Sequence, residues 1–232
     1  MRKFSIKKTL ILVSILAIPG FLFFYILPQF AKNRYKTLPI FGDKIVASTF
    51  HTKKGKKIPD TIYHKVPDFS LVNQENETIN WVPLKDKIVV LNLFFKSSSV
   101  KEINTNIQRI EEGYQRNNLI RFLSLSVDPF DNPTNLKPLA DSLNAKPGKW
   151  DFLSGDTLQV YPFIRHGLLL DMIYHKQNGK PKFIYGNQIL LIDNHRRIRG
   201  YYEATNPEAL SKLDDEIKVL VAEDLRNIKD GR

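Results

Sequence analysis

The chain of 232 residues contains no cysteine. This absence excludes disulfide bonds, thiolate metal sites and thiol redox chemistry. Acidic residues are also scarce near the N-terminus, because residues 1–57 hold twelve lysines and arginines but a single acid, Asp43. Residues 58–232 hold 23 basic and 23 acidic side chains. The formal net charge of +11 therefore belongs to the first quarter of the chain.

Charge is absent from residues 9–27, an apolar run of nineteen residues. A helix needs about 20 such residues to cross a bilayer, so the run predicts a membrane span or the core of a signal peptide. The sequence PQFAK that follows has no small-x-small cleavage site, which favours an uncleaved N-terminal transmembrane helix. We interpret the flanking basic residues as contacts with anionic lipid rather than with nucleic acid, because the rest of the chain is neutral.

These patterns divide the chain into three predicted parts. Residues 1–31 are expected to form a membrane anchor, residues 32–57 a basic linker and residues 58–232 a folded domain. The lysine run HTKKGKK within the linker indicates a solvated turn. Four basic residues precede the apolar run and three follow it closely, which slightly favours a cytoplasmic N-terminus. The domain is then expected on the extracytoplasmic, periplasmic side of the inner membrane.

Hydrophobic patterning over the domain predicts alternating strands and helices. The apolar run KIVVLNLFF at residues 87–95 indicates a strand buried on both faces. Apolar residues then recur at spacings of 4, 3 and 4, which predicts an amphipathic helix through Ile103, Ile107, Ile110 and Tyr114. Three further strands are predicted at residues 119–128, 187–193 and 197–205, the last two as a hairpin.

Two more helices are indicated by their capping residues. Asp156 is a good N-cap for a helix that would contain Pro162, and Asn206 followed by Pro207 starts a last helix with an apolar stripe. The resulting order is β-α-β-α-β-β-α. Strands separated by helices imply parallel pairing, and the final hairpin adds antiparallel strands. We therefore predict an α/β, thioredoxin-like fold with a mixed central sheet flanked by helices.

Several stretches resemble the Sco/SenC family of membrane-anchored, thioredoxin-fold copper proteins of cytochrome c oxidase assembly. The stretches are PDTIYHKVPDFSLVNQENETI (59–79), VVLNLFF (89–95), IRFLSLSVDP (120–129), PGKWDFLSGD (147–156) and ILLIDNHRRIRGYYEATNPEAL (189–210). They follow one another in family order over about residues 59–221. The resemblance implies a protein partner in respiratory oxidase assembly.

Members of this family resemble one another most at an F-x-x-C-x-x-x-C segment and at a later histidine. Aligning Phe95 with the motif phenylalanine puts Ser98 and Glu102 at the two cysteine positions, and the family pattern puts Tyr185 at the histidine. Copper selects thiolate and imidazole, whereas a hydroxyl, a carboxylate and a phenol suit it poorly. The resemblance therefore implies a degenerate site without copper or another cofactor, in a protein that is not an enzyme.

Other readings of these residues stay open at this point. Ser98 and Glu102 lie four positions apart at a predicted helix start, where capping or a solvated surface also explains them. A relocated copper site is the alternative function, built from His166, Met172 and His175, since thioether and imidazole suit copper. The five histidines form no zinc-binding pair of the H-x-x-x-H type. Asp128 resembles a family residue near the copper site, but we interpret it as a turn former before proline.

Overall fold

The computed structural model describes residues 6–26, 37–53, 55–95, 100–177, 180–185 and 187–229. The chain divides into two compact units, Met1–Lys36 and Thr37–Arg232. The described part of the first unit is helix α1, Ile6–Phe21, followed by a π-helical turn, Leu22–Ile26. None of the helices in the described ranges has both the length and the apolarity needed to cross a bilayer. Leu27, the last residue of the predicted span, lies outside the described residues.

A seven-stranded mixed sheet forms the centre of the second unit. One two-stranded hairpin precedes this sheet in the sequence, and a second one is inserted between two of its strands. The strands are β1 (Lys44–Lys53), β2 (Lys56–Tyr63), β3 (Leu71–Asn73), β4 (Thr78–Ile79), β5 (Ile88–Phe94), β6 (Ile120–Ser126), β7 (Trp150–Ser154), β8 (Met172–Gln177), β9 (Lys180–Tyr185), β10 (Gln188–Ile192) and β11 (Ile198–Glu203). The order across the central sheet is β11-β10-β5-β6-β7-β3-β4.

Four helices accompany this sheet in the described part of the second unit. They are α2 (Val100–Tyr114), α3 (Pro133–Ser142), α4 (Thr157–Pro162) and α5 (Pro207–Lys229). A π-helical turn, Phe163–Gly167, continues α4. The Asp156 side chain accepts a hydrogen bond from the Leu158 amide at 2.9 Å, which confirms it as the N-cap of α4.

The pairing of the central strands confirms the predicted α/β arrangement. Strand β5 pairs in parallel with β6, and β6 with β7, while β10 is antiparallel to both β5 and β11. Every residue of β5 is buried, as its continuous apolar run requires. Successive side chains of β5 enter two different cores, one on each face of the sheet. This is the architecture of a thioredoxin-like fold.

Hairpins β1–β2 and β8–β9, strands β3, β4 and β7, and helix α3 are additions to the predicted order. The predicted linker, residues 32–57, contains all of β1 and the start of β2, and it belongs to the second compact unit from Thr37 onward. Strand β1 was not predicted because its apolar residues follow no period of two: three of them, residues 45–47, are consecutive, and Phe50 follows after two polar residues. The useful signal was Gly55, which occupies a two-residue connection with φ of +76°.

Candidate functional site

The carboxyl ends of β5 and β6 lie side by side, since Phe94 pairs with Ser126. Helix α2 follows β5 and begins at Val100 in the described part of the chain, so the helix predicted over residues 100–112 is confirmed. Glu102 lies in the first turn of α2 and is exposed. Ser98 lies outside the described residues, and its predicted position at the helix start stays a prediction.

Tyr185 is the last residue of β9 and pairs with Met172 of β8. Its side chain is outside the described part of the structure. The predicted approach of Tyr185 to Ser98 and Glu102 therefore stays a prediction. The backbone places Tyr185 at the end of a hairpin that leads directly into β10, the neighbour of β5.

The three residues of the alternative copper site lie on two consecutive elements. His166 is exposed in the π-helical turn, whereas Met172 and His175 are in β8. The side chains of the last two residues are outside the described part, so their convergence with His166 is a prediction that the geometry leaves untested. Among the side chains that are described, no three histidines or carboxylates are grouped closely enough to hold a metal ion.

His166 borders an apolar depression of about 580 Å³ between α4 and the segment before β3. Its other lining residues are Pro67, Asp68, Phe69, Ser70, Leu71, Gln159, Pro162 and Phe163. The ring centroids of Phe69 and Phe163 are 5.2 Å apart. This depression offers apolar contact area with few polar groups.

Asp128 follows the end of β6 and forms a local turn. Its carboxylate accepts a hydrogen bond from the Phe130 amide at 3.0 Å, and its own amide donates to the Ser126 hydroxyl at 3.1 Å. The Ser126 hydroxyl in turn donates to Asp131. The interpretation of Asp128 as a turn former is confirmed by these bonds.

Glu102 borders a second depression, of about 510 Å³, between α2 and the start of α5. Asn106 closes one side of it by donating a hydrogen bond to the Ala204 carbonyl at 3.0 Å. The carboxylate of Asp214, which also lines the depression, accepts a hydrogen bond from the Tyr114 hydroxyl at 2.6 Å. Burial, and then the bond to Asp214, raise the pKa of Tyr114 above its ordinary value. Because its side chain is exposed and lines this depression, Glu102 forms part of the wall of a solvated groove.

A buried polar group lies under α2, and the sequence pattern gave little sign of it. The side-chain oxygen (Oδ1) of Asn92 accepts a hydrogen bond from the Ser124 hydroxyl at 2.6 Å, and that hydroxyl accepts one from the Trp150 indole at 2.9 Å. The Asn92 amide nitrogen and both polar atoms of Asn104 have no partner among the described residues. The one available signal was an asparagine inside the apolar run VVLNLFF.

The three residues that the resemblance matches to the family ligands form a donor set that does not fit copper. Serine, glutamate and tyrosine supply a hydroxyl, a carboxylate and a phenol, all oxygen donors, and the chain has no thiol to add to them. A dithiol–disulfide couple is impossible for the same reason. No step of copper or redox chemistry is therefore assigned to these residues.

Solved structures similar to this chain include proteins of the Sco/SenC family. A SCO1/SenC family lipoprotein from Bacillus anthracis str. Ames matches with a TM-score of 0.61 and 20% identity, over 68% of this chain and 95% of that one. BsSco, a member of the Sco family of cytochrome c oxidase assembly proteins, matches with a TM-score of 0.58 and 20% identity, over 68% and 93%.

A copper-bound structure is also among the similar ones. ScoI from Bradyrhizobium japonicum, with copper bound, matches with a TM-score of 0.54 and 18% identity, over 65% of this chain and 98% of that one. No family model and no curated protein sequence matches the chain. At these identities the likeness establishes the fold, a thioredoxin-like domain of the shape found in Sco proteins.

Proposed function

We propose that this chain is a membrane-anchored, Sco/SenC-like protein with a degenerate copper and redox site. Its role is a non-catalytic accessory or binding role in respiratory oxidase assembly, on the extracytoplasmic side of the inner membrane. The observation that carries the proposal is a Sco-like fold in a chain without cysteine. The oxidase context is supported by the resemblance and by what the similar structures are described as, an oxidase assembly protein among them.

The intact scaffold supports a binding role. Residues of both cores are almost fully buried, among them Leu125, Phe152 and Leu213. The absence of the family's copper ligands is therefore not accompanied by a poorly packed core. Protein recognition needs a defined surface and no thiol, so the fold retains what a binding partner requires.

The membrane location is supported by the first unit considered alone. Large apolar side chains are exposed along its helix and the π-helical turn that follows, including Ile11, Ile15, Phe23 and Phe24. Exposed apolar surface of this extent is typical of a segment that lipid or protein covers. The basic residues on both sides of the run suit anionic headgroups.

Copper(I) titration of the full chain against a competing chelator tests the degenerate site. The unmodified chain should take no copper from the chelator, because it has no thiolate. The combined variant Ser98→Cys, Glu102→Cys and Tyr185→His should bind one copper ion. Recovery should be partial, since the surrounding residues no longer orient the ligands.

A matched control separates ligand position from thiol content. Ser211→Cys with Asp215→Cys places two thiols at the same four-residue spacing, at two exposed positions of α5. This variant should bind copper more weakly than the combined variant. Tight one-to-one binding by the unmodified chain would overturn the degenerate-site proposal. His166→Ala, Met172→Leu and His175→Ala would then identify the alternative ligands.

Affinity purification of the tagged full chain from detergent-solubilised membranes tests the partner. Mass spectrometry should find oxidase subunits or a cysteine-bearing Sco protein enriched with the chain. Enrichment of neither class would contradict the accessory role in oxidase assembly, while leaving the copper result unaffected.

A further inference from the structure

The hairpin β1–β2 is exposed on both of its faces. It pairs with no other strand in the described part of the structure. Its large apolar side chains lie in water, with exposed fractions of 62% for Ile45, 71% for Val46, 54% for Phe50 and 56% for Ile62. A two-stranded hairpin is only marginally stable in water, so a surface that covers these side chains would stabilise it.

The strand register separates the side chains of the hairpin into two sets. Lys44 is opposite Tyr63, Val46 is opposite Thr61 and Phe50 is opposite Pro59. Since alternate residues of a strand share a face, one face carries the side chains of Lys44, Val46, Phe50, Lys57 and Tyr63. We call it the aromatic face.

Each aromatic ring of this face lies beneath a lysine. The Lys57 ammonium is 4.5 Å from the centre of the Phe50 ring, and the Lys44 ammonium is 6.0 Å from that of Tyr63. Lysines with long apolar stems can keep their charge in the headgroup region while the stem and ring enter the boundary of the acyl chains. The pairing is therefore suited to a lipid interface.

The charge of the hairpin is almost entirely of one sign. Residues 44–63 contain five lysines and one acid, Asp60. Asp60 is on the opposite face, where its carboxylate is 2.7 Å from the His51 ring. The aromatic face thus carries positive charge without a carboxylate, which is complementary to anionic headgroups.

Other occupants fit these observations less well. A second copy of the hairpin would bring lysines against lysines, and charged lysines on a strand edge discourage pairing of this kind. Nucleic acid would leave Val46 without an apolar partner, and residues 37–65 contain no arginine, the residue best suited to phosphate. An anionic lipid surface satisfies both the lysines and the apolar side chains.

We propose that the aromatic face of hairpin β1–β2 is a lipid-binding surface that lies on an anionic membrane. The proposal rests on the membrane location proposed above and adds a second contact, made by the folded unit itself. Its driving forces are attraction of Lys44 and Lys57 to the headgroups and partial burial of Val46 and Phe50.

A single fluorescent label tests this contact in the full chain. Because the chain has no cysteine, Val46→Cys accepts a thiol-reactive, environment-sensitive dye at one position. Vesicles of phosphatidylcholine with phosphatidylglycerol should shift the emission of the dye to shorter wavelength and protect it from an aqueous quencher. Vesicles of phosphatidylcholine alone should give a much smaller shift. About 1 M salt, where the Debye length is about 3 Å, should reduce the response.

Two matched controls accompany the label. Val82→Cys carries the dye at a valine of similar exposure, 79%, outside the hairpin, and its emission should not shift. Adding Lys44→Gln and Lys57→Gln to the labelled chain should abolish the shift at residue 46. Lys85→Gln with Lys212→Gln, two exposed lysines elsewhere, should leave it unchanged.

Vesicle flotation distinguishes the possible failures. A chain that does not float with anionic vesicles overturns both the membrane location and the lipid-binding hairpin. A chain that floats without a shift at residue 46 overturns the hairpin proposal alone. A shift with a dye at Ile62→Cys on the opposite face, and none at residue 46, overturns the assignment of the aromatic face.

Discussion

Asn104 lies in the second turn of α2, and its side chain is buried, with an exposed fraction of 1%. The side-chain amide has no hydrogen-bond partner among the described residues. An unsatisfied buried amide costs free energy, since its hydrogen bonds to water in the unfolded chain are not replaced. Asn106, two positions later, contrasts with it because its amide donates to the Ala204 carbonyl. The two residues therefore make a matched pair.

Asn104→Leu should raise the free energy of unfolding by about 1 kcal/mol, because leucine has a similar branched shape and loses no hydrogen bond. Asn106→Leu should lower it by about 1 kcal/mol through loss of its bond to Ala204. Urea unfolding of the full chain followed by circular dichroism gives both values. Equal destabilisation by the two variants would show that Asn104 has a partner, such as an ordered water molecule.

At the scale of elements, the π-helical turn after α4 is packed closely against the segment that precedes β3. A Cβ atom added at Gly167 would lie 2.9 Å from Pro67 Cδ and 3.2 Å from Phe163 Cδ2. The Gly167 carbonyl is also 2.9 Å from His64 Nε2. The turn therefore requires glycine at this position for reasons of space.

Gly167→Ala should lower the free energy of unfolding by about 1–3 kcal/mol, because the added methyl group forces Pro67 or the turn to move. Gly113→Ala is the control, since Gly113 is helical in α2 and has nothing within 4 Å of its added Cβ. That variant should be stabilised by up to about 1 kcal/mol. Thermal unfolding measures both, and a stable Gly167→Ala variant would disprove the close packing.

Elements with a regular apolar period could be predicted from the sequence, and those without one could not. Helix α2 could be predicted from Ile103, Ile107 and Ile110, because one face of the helix is buried. Strand β5 could be predicted because its unbroken apolar run requires burial on both faces. Hairpin β1–β2 has neither property, since both of its faces are exposed. At the candidate site, the resemblance predicted which residue types occupy the family positions. The groove beside Glu102 could not be predicted, because residues of α5, distant in the sequence, form its other wall.

At the scale of the whole folded unit, Arg199 connects its two ends. The guanidinium is 5% exposed and bonds to Asp193 at 3.1 Å and Glu223 at 2.9 Å. It also donates to the carbonyls of Leu38 and Pro39, which precede β1. The network therefore joins the start of the unit, the β10–β11 turn and helix α5.

Asp224 beside this network makes stability depend on pH. Burial, and then the charges of Asp193 and Glu223, raise the pKa of Asp224 to about 6. Because the folded state holds the proton more tightly than the unfolded chain, the stability from Asp224 is complete below pH 3.8 and is lost as the pH rises through about 6.

Asp224→Asn stays neutral, so its stability relative to the unmodified chain should grow between about pH 4 and pH 7, by at most about 3 kcal/mol. Chemical unfolding at a series of pH values measures this difference. Asp141→Asn replaces an exposed aspartate of α3 and should show a nearly constant difference. A flat profile for Asp224→Asn would mean that Asp224 is not destabilised by its neighbours.

The two cores on opposite faces of the sheet each contain one of the two tryptophans of the chain. Trp81 packs edge-on against Phe69 in one core, and Trp150 lies against Phe152 in the other, with ring centroids 5.2 Å and 5.1 Å apart. Each face of the sheet therefore has its own intrinsic fluorophore. Replacing either tryptophan leaves tryptophan emission from the other core alone. Unfolding followed in the two variants then shows, without any label, whether the two cores unfold together.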